Sequence, residues 1–153
     1  MRIKTLGTTL ALGFMAAAVC FASSQIGTWK LNEAKSSLAG MAKNHAVIYE
    51  AVGDDVKITV DGTGVDGKPV HNEWVGKFDG KDYPVTGDDA IGDARSYKTV
   101  DANTLEMTIK NGGKVTATGR IVLSADGKTR TVTLSRTDAQ GKTITSTAVY
   151  DRQ

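Results

Sequence analysis

The sequence predicts an all-β fold, a single antiparallel up-and-down β-barrel of about 8 to 10 strands. Two observations carry that expectation. After residue 44 apolar and polar residues alternate: "VKITV" (56–60) puts Val56, Ile58 and Val60 on one face, and "TLEMTIK" (104–110) does the same with Leu105, Met107 and Ile109. Period two with threonine and β-branched residues marks a half-buried strand. The second observation is the punctuation: Gly53-Asp54, Asp61-Gly62, Asp66-Gly67, Asp79-Gly80, Asn111-Gly112-Gly113, Asp126-Gly127 and Gln140-Gly141 separate the runs. Asp-Gly and Asn-Gly supply the positive φ angles of tight hairpins.

The elements follow in order. Residues 1–22 combine a basic start (MRIK), an apolar run (LGTTLALGFMAAAV) and small residues before Ser23. That pattern predicts a signal peptide cut before Ser23, and the run is shorter than the roughly 20 residues a membrane span needs. Val19, directly before the sole cysteine, Cys20, disfavours lipidation there. The remainder, 23–153, is expected to be one barrel domain in a secreted or periplasmic protein. "GTWKLN" opens strand 26–31, and "EAKSSLAGMAK" (33–43) permits one short helix. Strands are then expected over 45–52, 56–61, 69–78, 93–100, 104–110, 114–124, 129–136 and 142–151, with a short tenth through "KDYPVTG" (81–87). Short connections favour antiparallel neighbours, and closure removes exposed edges.

Charge narrows the partners. Of 19 Lys+Arg and 17 Asp+Glu, Arg2 and Lys4 leave with the signal, so 19 − 2 leaves 17 against 17. A neutral, mixed surface gives no case for nucleic acid or an acidic membrane, and a monomer is expected. Four turns end in lysine, "DGK" at 66, 79 and 126 and "QGK" at 140. They lack the carboxylate density of a calcium loop and read as hairpin tips with solvated lysines.

The Gly-x-Trp of residues 27–29, a longer connection and a meander to the C-terminus resemble the lipocalin and fatty-acid-binding (calycin) barrels. More closely, the chain resembles a family of small exported, uncharacterised bacterial proteins. The resemblance rests on GTWKLN (27–32), the KS loop (35–37), DGKDYPVTG (79–87), ADGKT (125–129) and AVYDRQ (148–153), which together span the chain after the signal. The lipocalin resemblance implies that Trp29 plugs the closed end of the barrel, with Arg152 of the last strand packed over it. The lipocalin Thr-Asp-Tyr motif and a late-strand Arg-x-Tyr are both absent; "RSY" (95–97) has those letters but sits mid-chain.

No catalytic constellation emerges. His45 and His71 lack the third and fourth ligands a zinc site requires. No Gly-x-Ser-x-Gly elbow occurs. Asp88, Asp89 and Asp93 fit no standard calcium spacing. A non-enzymatic protein without metal or cofactor is expected. The interior is more telling. Val70, Asn72, Trp74, Gly76 and Phe78 should face inward on one strand, with Gly76 leaving space or allowing a bend, and Val132, Leu134 and Arg136 on another. Small residues at Ala117, Gly119, Ser146 and Ala148 could leave a cavity opposite the aromatics. An inward Arg136 needs a partner, whether a ligand carboxylate, a neighbouring acid or water at the mouth. Asn72, Trp74, Arg136, Tyr49, Arg95 and Tyr97 are therefore the candidate ligand contacts, and a small apolar or amphiphilic molecule the candidate ligand. The competing reading is a structural or protein-interaction barrel with a filled core.

Overall fold

The computed structural model describes residues 24–153, so the expected signal peptide and Cys20 lie outside the described residues. Ten strands close into one antiparallel barrel: β1 (Gly27–Leu31), β2 (Lys43–Val52), β3 (Asp55–Thr63), β4 (Pro69–Gly76), β5 (Tyr83–Gly87), β6 (Ala94–Asp101), β7 (Thr104–Asn111), β8 (Lys114–Leu123), β9 (Thr129–Thr137) and β10 (Thr143–Arg152). Each strand pairs with its sequence neighbours, and β1 pairs with β10 to complete the ring. The expected up-and-down barrel is therefore what the chain forms. Pairings Trp29↔Arg152 and Leu31↔Tyr150 fix the register of the closing seam.

The turns work as their composition demands. The Asn-Gly-Gly turn between β7 and β8 places Gly112 and Gly113 at φ 56° and 79°, the left-handed region that L side chains rarely adopt. The repeated DGK tips are Asx turns. Asp66, Asp79 and Asp126 each accept the backbone N–H of the lysine two residues on, at 3.1, 3.0 and 3.0 Å. Lys68, Lys81 and Lys128 point to solvent.

Three expectations are corrected. The 33–43 connection contains only a 3-10 turn, Glu33–Lys35. Beyond it, Ser37 exchanges backbone hydrogen bonds with Thr147 of β10 at 2.7 and 2.8 Å, which satisfies the segment in extended form and leaves a helix nothing to gain. β4 stops at Gly76, so Phe78 lies past the strand, although its ring still joins the core. Gly76 does not leave a void: a Cβ there would stand 2.5 Å from the Tyr83 ring, so that ring fills the place a side chain would take.

Strand direction defines two ends. β1, β3, β5, β7 and β9 start at one end, which holds the turns at 53–54, 102–103 and 124–128. The other end carries the loops 38–42, 64–68 and 88–93. The first end is sealed by Trp29, which is fully buried and donates its indole N–H to the Gln25 carbonyl at 3.0 Å. A second aromatic group fills the same half, with the Trp74 ring 4.8 Å from Tyr97 and 5.6 Å from Tyr83 between centroids. Ten strands enclose a wider bore than the eight that side chains alone can fill.

Candidate functional site

The remaining bore is a cavity of about 370 Å³. Its walls are mainly aliphatic, with Val47, Ile58, Val60, Ile109, Ile121 and Leu134 among them, and its rim is made by loop residues Met41, Val65 and Ile91 at the second end. Alternation explains the lining, because these wall positions take every second place on their strands. The volume falls within the range of small-molecule sites.

Five of the six candidate ligand contacts, Tyr49, Asn72, Arg95, Tyr97 and Arg136, line this space. Trp74 does not. It is buried among rings, with its indole N–H donated to the Arg95 carbonyl at 3.0 Å. The backbone of β6 therefore fixes the tryptophan ring in place. Arg136 is half-buried near the rim, at the far end of β9.

Arg95 sits in a polar knot that ties the 88–93 loop to the wall. Its Nε donates to Asp89 at 3.1 Å, and its Nη2 donates both to the same carboxylate and to the Asn72 carbonyl oxygen, the latter at 3.0 Å. Asn72 in turn donates to the Asp88 carbonyl at 3.0 Å. Arg95 and Asp89 are about nine-tenths buried, so each charge is desolvated and depends on the other. The acidic run 88–93 thus has a structural use: Asp89 anchors the loop, and Asp93 accepts the Gly112 N–H at 3.1 Å. Among the described residues no cluster of three or more His, Cys, Asp or Glu could hold a metal ion. His45 and His71 are both exposed on the outer surface.

Tyr97 lies under the knot. Burial pushes its phenol up to about 12, against the pull of the Arg95 charge, so it remains neutral and able to donate. Burial likewise raises the Tyr150 phenol, opposed chiefly by the charge of Arg130.

Arg130 is the residue that the sequence reading passed over. It is 2% exposed and lines the cavity near the sealed end. Its guanidinium carbon lies 4.7 Å from the Tyr49 ring centroid, 5.0 Å from Tyr150 and 5.1 Å from Trp29. The signal was present: the inward alternation Arg136, Leu134, Val132 continues to position 130.

Arg152 occupies the other side of the closing seam. Its guanidinium carbon is 4.4 Å from the Trp29 centroid, and its three nitrogens donate to the carbonyls of Gly127, Ile26 and Ser24 at 2.8, 2.7 and 2.5 Å. Gly27 completes the arrangement. It adopts φ 135°, and a Cβ there would meet the Arg152 Nη1 at 3.0 Å. The Gly-x-Trp signature is thus a matched set: a glycine that lets the arginine in and a tryptophan for it to cover.

No family model matches the chain, and no curated protein matches it in sequence. Among solved structures, it is similar to a redesigned β-barrel, mFAP1, bound to DFHBI, at 16% identity and a TM-score of 0.46, covering 90% of this chain and 100% of that one. It is also similar to EF1p2_mFAP2b bound to DFHBI, at 15% identity and a TM-score of 0.49, covering 91% of this chain and 99% of that one.

Proposed function

We propose that the barrel is a non-enzymatic binding protein that takes a small apolar or amphiphilic molecule into its interior. One observation carries the reading: an aliphatic-walled cavity of about 370 Å³ whose rim is formed by loops rather than by a strand seam. An interior filled by side chains would have supported the structural alternative instead. The charged side chains of the lining are divided between the Arg95–Asp89 knot with its neighbour Asp88, Arg130 at the closed end and Arg136 at the rim, which suits orientation of a ligand more than catalysis on it. Trp29 and Trp74 both stand close enough to lining residues to report occupancy, since Trp29 touches Arg130 and Trp74 touches Tyr97. Titration with a chemically varied panel of amphiphiles should therefore give a saturable change in tryptophan fluorescence for at least one class. A flat response across the whole panel would remove the reading.

Export belongs to the same proposal and rests on the basic, apolar and small-residue pattern of residues 1–22. N-terminal sequencing of the protein from its host should begin at Ser23. Retention of Met1, or an acylated Cys20, would rule out the proposed processing.

A further inference from the structure

We propose that Met41 is an oxidation-sensitive latch at the mouth of the cavity, so that a peroxide which converts its thioether to the sulfoxide loosens the loop there and speeds release of the bound molecule. The proposal rests on the reading of the cavity as a binding chamber and adds a modification site that regulates it.

The connection from β1 to β2 is stapled to β10 along one side. The Ser36 hydroxyl oxygen accepts the Val149 N–H at 2.9 Å, and Ser37 exchanges backbone hydrogen bonds with Thr147. Leu38 packs against the core, and residues 40–42 then border the cavity on the way to β2. The last staple is made by side chains: Ser146 donates its hydroxyl to the Met41 Sδ at 3.0 Å. Ser146 is buried inside β10, yet it is not part of the cavity wall; the Met41 side chain lies against it and lines the cavity in its place. The backbone of this strap is strained. Ala39, at φ 47°, is the one non-glycine residue at positive φ among the described residues, and Gly40 follows at φ 72°. A non-glycine residue keeps that conformation only where its surroundings hold it.

The described residues contain two methionines, and they differ in access. Met107 is buried in the core at 8% exposure, whereas Met41 is half-buried on a loop at the open end. Oxidation follows exposure, so a peroxide reaches Met41 first. The sulfur attacks one peroxide oxygen. The S–O bond forms and the O–O bond breaks, and the departing hydroxide takes the proton of the transferred oxygen and leaves as water. The sulfur is oxidised and the peroxide reduced, with no other reactant. An oxygen added on the side facing Ser146 has no room within a 3.0 Å contact. Added on the other side, it leaves the sulfur electron-poor and a weak acceptor. Both epimers therefore break the staple, set a polar group among the rim residues Val65 and Ile91, and free the Ala39 turn to relax.

The test treats the wild-type chain and Met41→Leu with hydrogen peroxide. Peptide mass spectrometry follows each methionine, and fluorescence titration measures binding of the neutral apolar probe phenylnaphthylamine. Met41 should gain its oxygen before Met107. Probe affinity should fall about tenfold in step with it, mostly through faster dissociation, and methionine sulfoxide reductase should restore it. Met41→Leu keeps an apolar side chain of similar volume, so it should bind the probe as wild type does and ignore the peroxide. Amide hydrogen exchange gives a readout that needs no ligand. Residues 38–42 should exchange faster after oxidation, and Ser146→Ala should speed them without any oxidant. Oxidation of Met107 as early as Met41, or an equal loss of affinity in peroxide-treated Met41→Leu, would overturn Met41 as the site. A Met41 sulfoxide that leaves both affinity and exchange at 38–42 unchanged would overturn the latch while the chamber stands. Failure of the probe to bind the untreated chain would count against the chamber, and exchange at 38–42 would then decide the latch by itself.

Discussion

At the scale of single residues, Trp29 anchors the closed end of the barrel. It is fully buried, hydrogen-bonded through its indole, and covered by two guanidinium groups. Replacing it by alanine removes the seal, strips Arg152 of its ring contact and leaves Arg130 with two of its three. Urea unfolding of Trp29→Ala should show a loss of about 3–5 kcal/mol. His71 is a smaller and separable case. Its hydrogen bond to Asp61, at 2.6 Å on the outer face of β3 and β4, raises its pKa, with Glu73 contributing. The protonated ring is the one that gains, so the contribution is fully present below the ordinary histidine value of about 6.5 and disappears as pH rises through the raised value. Proton NMR should show His71 titrating above the ordinary histidine value, and Asp61→Asn should lower it. Legibility at this scale was uneven. Trp29 announced itself because a Gly-x-Trp at a strand start has a recognisable partner. Arg130 did not, because an arginine between two threonines after an exposed turn looks solvated, and only the parity of the strand says otherwise.

At the scale of elements, alternation and turn chemistry made the strands readable to within a few residues, because both are local. What alternation does not encode is how the loop 88–93 folds back. That depends on Asp89 meeting Arg95 and on Thr116 donating to the Ile91 carbonyl at 2.5 Å, contacts with no periodic signature. The same region contains the weakest seam. β5 and β6 share only the pairs Tyr83↔Arg95 and Pro84↔Ala94, and Pro84 has no N–H to donate, whereas β2 and β3 pair from Lys43↔Thr63 to Val52↔Asp55. Amide hydrogen exchange should therefore be faster along the β5–β6 seam than between β2 and β3, independent of ligand. Equal protection on both seams would mean that the side-chain knot, rather than the ladder, limits opening there.

At the scale of the whole molecule, the closed ring makes stability collective. Every strand has two neighbours, so none can leave without exposing two edges and the shared core. Unfolding followed by far-ultraviolet circular dichroism and by tryptophan fluorescence should coincide in a single transition. The ring also imposes an order in time. β1 is the first strand made, yet its partner β10 is the last, and the carbonyls of Ser24 and Ile26 wait for the guanidinium of Arg152. A nascent chain emerging residue by residue can form its hairpins early, but the closing seam and the cover over Trp29 must wait for almost the entire sequence. Until then the first strand carries an unpaired edge and an exposed indole. That is a long interval of stickiness for any barrel of this topology, and one in which a chaperone would find the chain still open.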